Sequence, residues 1–529
     1  MRFKHLRELG KMGWFGIFTS LSQNSLNLVD AWMVSKISLV AVTAVGISSS
    51  ILFLIQQQVT GTIASEISVF VSQSRGGKNL LDEKDKNLLS DSSKLKQIRL
   101  GAAQGILLSI KFGFLFGALF ICLAPVLVQI LFGADSQTTS ETADYLRIVG
   151  GCAIIPCMMG MMTNILLGIK DSKAVFVAGV TMNVIHLPLG YVFIFTFDWG
   201  VKGAALATVL ANLVGLVFTW LAVRTKIFGR SSLSDNWTGM TSIHNLFQLN
   251  YTWRKVQKKI FADSNSWRRH KMLQKKLVKQ AIPMIGAGLV HQLALFYMNR
   301  TMLQYGTEVY AAGHIARQIK MLLTVAWVQG FASSVAPFVG ECFGKKRYNE
   351  ALRYCNWAIA IVSVGSAIMW GVQLFTGEWI ISQFTDDAHI ISMSHWMLSV
   401  LVIMDAIWAV QLVAIRSLRG VSYKKGQFTS NLIAALVLFG GVLFAIHKGW
   451  DYKFIYYMQL VYWTILCLSC VVRFYSRKWI PAETPKKTQK KKNQKWILTG
   501  FAWTPAWLPM WFPIWMPKWS REAVDKDAQ

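Results

Sequence analysis

The chain has 529 residues, 53% of them hydrophobic and only 15% charged. That balance excludes a disordered chain and a small soluble domain, and points to a membrane protein with several spans. The formal net charge of +29 does not call for nucleic acid, because most of the 55 Lys and Arg collect in loops on one side of the membrane, the positive-inside bias.

The N-terminus, MRFKHLRELGKMG, is basic. No small-residue cleavage site follows its apolar run, so the first segment, 12–34, reads as a retained helix. Within it SLNLVDAWMV places Asp30 at bilayer depth. A charge there costs a few kcal/mol, so such residues face a cavity more often than lipid. Gln23, Asn27 and Asp30 stand at i, i+4 and i+7 and share one helix face. A polar residue that only packs helices together is the plain alternative.

Segment two, 40–72, ends in ASEISVFVSQSRGGKN and a charged stretch at 80–95. Segments three to six are 101–132, 145–168, 174–196 and 201–223, and a basic linker occupies 224–278. Segments seven to twelve are 279–303, 308–340, 350–375, 391–418, 428–446 and 454–474. Each is long enough to cross a bilayer core. Pro125, Pro156, Pro188, Pro283 and Pro337 lie inside spans, where proline kinks a helix. Seven cysteines sit mostly in apolar helices and read as small buried residues, with no metal or redox site expected.

His314, Arg317 and Lys320 are spaced by three near the outer end of segment eight. They either snorkel, pair with an acid such as Asp405, or give a cleft that accepts anionic groups. Glu66 and Glu341, near cytoplasmic helix ends, read as loop-anchoring acids, and Lys111 as a snorkelling lysine.

The two halves repeat. FASSVAPFVGECFGKKR at 331–347 overlays IASEISVFVSQSRGGKN at 63–79, with Gly76 matched to Gly344. RGVSYKKGQF at 419–428 overlays LGIKDSKAVF at 167–176. The charged stretch near 80–95 is then an insertion in the first half. Each half has six crossings, so both enter the bilayer from the same side. The expected fold is an all-α membrane protein of twelve transmembrane helices in two six-helix parallel repeats. A pseudo-two-fold axis runs along the membrane normal, with a site between the repeats. The domains are an N-lobe at 12–223, the linker, a C-lobe at 279–476 and a cytoplasmic tail at 477–529. Both termini are placed in the cytoplasm, with the chain multi-pass in the inner (plasma) membrane.

The linker interleaves Trp237, Trp253 and Trp267 with Lys and Arg, which suits an interfacial segment on anionic lipid. The tail carries PKKTQKKKNQK at 485–495 and then Trp503, Trp507, Trp511, Trp515 and Trp519 alternating with Pro505, Pro509, Pro513 and Pro517. Proline every fourth residue forbids a regular α-helix, so this is not a thirteenth span. It reads as an extended membrane-surface or partner-binding tail.

LVDAWMV (28–34), NVIHLPLGYVFIF (183–195) running into GVKGAALAT (200–208), and DAIWAVQLVAIRSLRG (405–420) carry a family likeness. Over about 12–475 the chain resembles the multidrug and toxic compound extrusion (MATE) transporters of the MOP flippase superfamily. The last motif is the most specific, with Asp405, Ala406, Gln411, Val413, Ala414, Leu418, Arg419 and Gly420 in the family's order. The resemblance implies two lobes forming a V around a cleft and a secondary antiporter, not an enzyme. It implies Asp30 and Asp405 as the acids of the first and tenth helices, and Asn183 as a fifth-helix residue that bonds the first-helix acid in one branch. The chain departs from the family at Leu187, where one branch has a second Asp. It departs again at His291, followed by Gln292, where the sodium-coupled branch has a Glu eight residues after the counterpart of Pro283.

The expected function is export of small cationic or amphipathic organic compounds in exchange for protons or sodium by alternating access. An Asp beside a His favours protons. The coupling residues are Asp30, Asp405, Asn183 and Asn27. The substrate cleft takes Gln23, His291, Gln292, His314, Arg317 and Lys320. No cofactor is expected beyond H+ or Na+, and the chain is expected to work as a monomer with a small-molecule substrate and the bilayer as partners. A flippase or exporter for an anionic or lipid-linked substrate is the alternative, and a non-transporting membrane scaffold the second.

Overall fold

The computed structural model describes residues 2–81, 88–132, 136–229, 264–383 and 387–481. Among them all regular structure is helical. In order the helices are α1 (Arg2–Ser35), α2 (39–75), α3 (Asp91–Phe132), α4 (Ser136–Gly150, then Ile154–Gly168), α5 (Ser172–Thr196) and α6 (Gly200–Phe228). The second half continues with α7 (Ser264–Gln304), α8 (307–344), α9 (Tyr348–Ser382), α10 (Ala388–Gly420), α11 (Gln427–His447) and α12 (Lys453–Tyr475). Each apolar segment of the sequence falls within one of these helices. Among the described residues eight are long and apolar enough to cross a membrane, and nine when the bent α4 counts as one span. The other three, α1, α2 and α8, carry most of the polar residues of the site described below.

Several helices outrun their apolar segments. α3 begins at Asp91, with Leu95 buried and Ile98 packed in the first-half core. Arg99 beside them donates to the Ile227 carbonyl at 2.9 Å, supplying one of the partners that the end of α6 lacks. The linker is shorter than the composition suggests: α6 runs to Phe228 and α7 starts at Ser264, and 230–263 lie outside the described residues. So do 82–87 and the Trp/Pro tail from 482 onward. α4 bends by 52° between its two pieces. Pro156 lacks an N–H and crowds the carbonyl four residues before it, which accounts for a break at 151–153.

Met1–Trp479 form one compact unit and Ile480–Gln529 a second. The first unit holds two main cores. One joins Ile67, Ile98, Ile106, Met162 and Ile165 in the first half. The other joins Met298, Ile319, Met397, Leu401, Tyr456 and Tyr462 in the second. Lipid tails are as apolar as these side chains, so close packing and small residues, not water exclusion, hold the helices together.

The repeat is visible in matched contacts. A Cβ on Gly76 would lie 2.7 Å from the Gly344 Cα, and a Cβ on Gly344 would lie 2.9 Å from the Gly76 Cα. These residues occupy equivalent positions in α2 and α8, so a two-fold axis relating the repeats passes between them. Gly168 packs on the Ser68 carbonyl and Val71, while Gly420 packs on the Ala336 carbonyl and Val339, the same contact one repeat on. The turns after them also match. Lys170 and Ser422 both have positive φ, at 65° and 58°.

The seam between the halves is built by α1 against α8. A Cβ on Gly16 would sit 2.3 Å from the Gly330 carbonyl oxygen, and one on Gly330 would sit 2.4 Å from the Ile17 nitrogen. Only glycine allows the two backbones to touch there.

Candidate functional site

α8 is not a regular α-helix. Met321–Val325 form a π-helical turn, and Leu52–Gln57 form one at the equivalent place in α2. Such turns insert an extra residue and re-aim the side chains beside them, often at functional sites. Lys320 is the last residue before the turn in α8. Its Nζ lies 2.6 Å from Asp405 Oδ1 on α10. The Asp405 side chain is essentially buried, at 1% exposure, and that of Lys320 keeps 17%. Both Asp405 carboxylate oxygens are buried and neither accepts an aligned hydrogen bond among the described residues, so the contact with Lys320 is one of charge. A buried pair of this kind avoids the larger cost of either charge alone. Of the readings left open by the sequence, the structure selects pairing for Lys320.

One residue past Lys320, the Met321 carbonyl accepts a hydrogen bond from Asn24 Nδ2 of α1 at 2.9 Å. The ion pair of the second half is thus one residue from a polar contact with the first. Gln23, His314 and Met321 are exposed nearby in sequence. Polar groups at this depth belong beside water more than beside lipid.

The other cleft candidates divide. Arg317 lies over the Tyr310 ring at 5.8 Å, and His314 Nε2 is 3.4 Å from Gln318 Nε2. His291 Nδ1 is 2.5 Å from the Tyr462 hydroxyl, with Trp463 edge-on at 5.3 Å. Trp463 also meets Trp408, three residues after Asp405. His291 is therefore held in an aromatic cluster of the second half. Gln292 beside it is half-buried.

In the first half, Asn183 is buried and its Nδ2 donates to Ser22 Oγ at 2.6 Å, while its Oδ1 finds no partner among the described residues. This bond reaches α1 two turns before Asp30; the bond to the first-helix acid that the resemblance implies falls on a side chain outside the described residues. Asn27 and Asp30 lie on α1, about 9 Å along its axis beyond Asn24 in the case of Asp30. Their side chains lie outside the described residues.

A second polar cluster closes the end of the bundle that carries the basic loops. Glu341 on α8 lies 2.7 Å from Lys170 and 3.6 Å from Arg75, both in the first half, and also binds Lys345. Lys170 sits over the Phe338 ring at 3.8 Å. Burial pulls the Lys170 ammonium below the usual lysine range, and the Glu341 carboxylate offsets part of that. Gln73 Nε2 donates to the Gly420 carbonyl at 2.7 Å and to Ser422 Oγ at 3.0 Å. Glu66 pairs with Lys424, whose Nζ also donates to the Gln280 carbonyl at 3.3 Å. A cavity of about 60 Å³ lies beside this pair, lined by Glu66, Gln73, Lys78, Lys276 and Ser422 among others. The two acids read from the sequence as loop anchors do anchor loops, and the loops belong to the opposite half. Lys111 donates to Gln274 Oε1 at 2.9 Å, again across the halves.

Sequence reasoning missed Asn24, Ser22, Gln73, Lys170 and Lys424. The repeat could have supplied two of them: Gln73 is the repeat partner of Glu341, and Lys170 that of Ser422. Nothing in the sequence marks Asn24, which stands one position off the Gln23 face. The seven cysteines are free.

The MatE family model matches residues 16–83, 92–192 and 283–441. Two curated relatives are similar. An uncharacterized transporter, YisQ of Bacillus subtilis, is 23% identical over 465 residues, covering 85% of this chain and 90% of that one. A probable multidrug resistance protein, NorM of Thermotoga maritima, is 21% identical over 428 residues, covering 78% and 80%. Among solved structures, a multidrug resistance MATE-family transporter in an outward-facing conformation superposes with TM-score 0.72 at 16% identity, over 89% of this chain and 95% of that one. A MOP-superfamily transporter from Pyrococcus furiosus, described as having a binding pocket of reversed polarity, gives 0.71 at 16% identity with the same coverage. With this match across most of its helices, the chain belongs to the MatE family, the multidrug and toxic compound extrusion transporters.

Proposed function

We propose that the protein is a secondary antiporter of the inner membrane that exports small cationic or amphipathic organic compounds. The exchanged ion is the proton, with sodium the alternative, and the basic loops and both termini are cytoplasmic. The observation that supports this reading most is the buried Lys320–Asp405 pair one residue from the Asn24–Met321 contact between the halves. Charge held that deep, at a seam between two matching bundles, gives a ligand something to bias as the halves rearrange. The polar cluster at the basic end supplies contacts that would part when that end opens.

Reconstituted protein tests the proposal with ethidium as the amphipathic cation and pH and sodium gradients imposed separately. Uptake driven by the pH gradient, reduced at least tenfold in Asp30→Asn, is the expected result. Gradient-driven uptake at the wild-type rate in that variant removes Asp30 from the mechanism.

A second reading has one observation in its favour. His314, Arg317 and Lys320 put three basic side chains on α8, of which Lys320 is paired with Asp405. The Pyrococcus furiosus transporter of similar fold is described as having a binding pocket of reversed polarity that suggests a different function, and for this chain the second reading is an anionic or lipid-linked substrate. Transfer of an anionic lipid between leaflets in the same vesicles, without ethidium uptake, decides for it.

A further inference from the structure

We propose that Lys320 is a tethered cation filling the place at Asp405 that a free monovalent cation would need, so that the second half of the transporter exchanges no inorganic ion. This rests on the antiport reading and narrows it: the coupling ion then belongs to α1.

The geometry carries the argument. Asp405 is fully buried, and a carboxylate in that position must be neutralised, by a proton, by a bound cation or by a charged neighbour. Here the neighbour is present. The Lys320 ammonium lies 2.6 Å from Oδ1, the separation of a charge-assisted contact. Neither carboxylate oxygen accepts an aligned hydrogen bond among the described residues, so the tether neutralises Asp405 by the nearness of its charge. A sodium ion entering here would have to push an ammonium away from its counter-ion and leave the site with a net positive charge in a low-dielectric interior. Lys320 is also placed for the role. It is the residue at which α8 passes into its π-helical turn, and the following carbonyl is bound by Asn24 from the other half. A rearrangement of the α1–α8 seam therefore moves the tether directly. For the same reason an organic cation can reach Asp405 only by displacing Lys320, which makes the lysine a determinant of what the second half accepts.

The test is cation binding to the purified full chain, read by intrinsic tryptophan fluorescence. Trp408 stands one turn after Asp405 and Trp327 seven residues after Lys320. Na+ and Li+ are titrated at constant ionic strength against N-methylglucamine. The wild type is expected to give no saturable response. Lys320→Met is expected to gain one, and Lys320→Met with Asp405→Asn to lose it again. Lys320→Arg keeps a cation on the tether and is expected to stay silent. Lys320→Gln, which keeps a hydrogen-bond donor, serves as a second uncharged variant should the methionine chain not be monodisperse. The proposal is overturned by an Asp405-dependent sodium response in the wild type. It is equally overturned by folded uncharged variants that respond to neither ion. Failure of the antiport reading shows separately, as wild-type vesicles that couple no flux to either gradient.

Discussion

Gln73 and Glu341 hold equivalent places in the two repeats and reach across the molecule in opposite directions. Gln73 of the first half bonds the Gly420 carbonyl and Ser422 of the second. Glu341 of the second half bonds Lys170 of the first. The partners are equivalent too, since Ser422 and Lys170 occupy the same position of the same turn. The two-fold relation is therefore kept in geometry and broken in chemistry: one arm is a neutral amide contact, the other a charge pair. With Glu66 and Lys424 alongside, these contacts join the two halves at the basic end.

Removing charge from the charged arm is expected to loosen that end. Glu341→Gln leaves Lys170 buried beside Phe338 without its counter-ion, a change of the kind that costs roughly 3–5 kcal/mol when a buried pair is broken. Part of that is recovered if the end opens and Lys170 reaches water. Cys342 is the next residue and is only 6% exposed. Its rate of maleimide labelling, followed by mass spectrometry, should rise severalfold in Glu341→Gln. An unchanged rate would mean that the ion pair does not hold this end closed.

The backbone contact of α1 with α8 leaves no space for a side chain. Gly16→Val or Gly330→Val must force the helices apart, and overpacking of this sort costs about 1–3 kcal/mol or more. Both variants should lose monodisperse protein and thermal stability. Gly46 is the control, because a Cβ there meets nothing within 4 Å. Gly46→Ala should be neutral or stabilising by up to about 1 kcal/mol through helix propensity. If all three behave alike, close approach is not what requires glycine at the seam.

Asn183 and Ser22 join α5 to α1 through one partly buried hydrogen bond. Asn183→Ala and Ser22→Ala should each destabilise the protein, and the double variant should cost less than their sum. A coupling of about 1 kcal/mol is expected from a double-mutant cycle on thermal unfolding. Strictly additive effects would show that the two side chains do not act as a pair.

These particulars mark how far the sequence could be read. The helices were legible because bilayer crossing imposes long apolar runs, and the repeat because Gly76/Gly344 and Gly168/Gly420 stand where two backbones approach. Pairing of Lys320 with Asp405 could be foreseen as one reading among three, since a buried acid wants a cation. Its selection depends on how α8 is rotated over α10, and the π-helical turn after Lys320 has no composition signal. Asn24 was passed over because the polar face of α1 was drawn through Gln23, Asn27 and Asp30, and the contact with α8 falls one residue to its side. His291 is reached in sequence only by its distance from Pro283, and its contacts with the Tyr462 hydroxyl and Trp463 ring of α12 depend on helix packing that the sequence does not show.

The broken symmetry of the basic end can be repaired by substitution. Gln73→Glu alone puts a carboxylate against the Gly420 carbonyl oxygen, where it meets an acceptor in place of a donor. That should destabilise the protein by a few kcal/mol, the cost of an unpaired buried charge. Adding Ser422→Lys supplies the missing cation from the position that Lys170 holds in the other repeat. The backbone there already has φ of 58°, against 65° at Lys170, so it takes a lysine without a new conformation. Thermal stability should recover most of the loss in the double variant, while Ser422→Lys alone gains nothing. A double variant no more stable than Gln73→Glu would show that the two turns match in trace but not in the space they give a side chain.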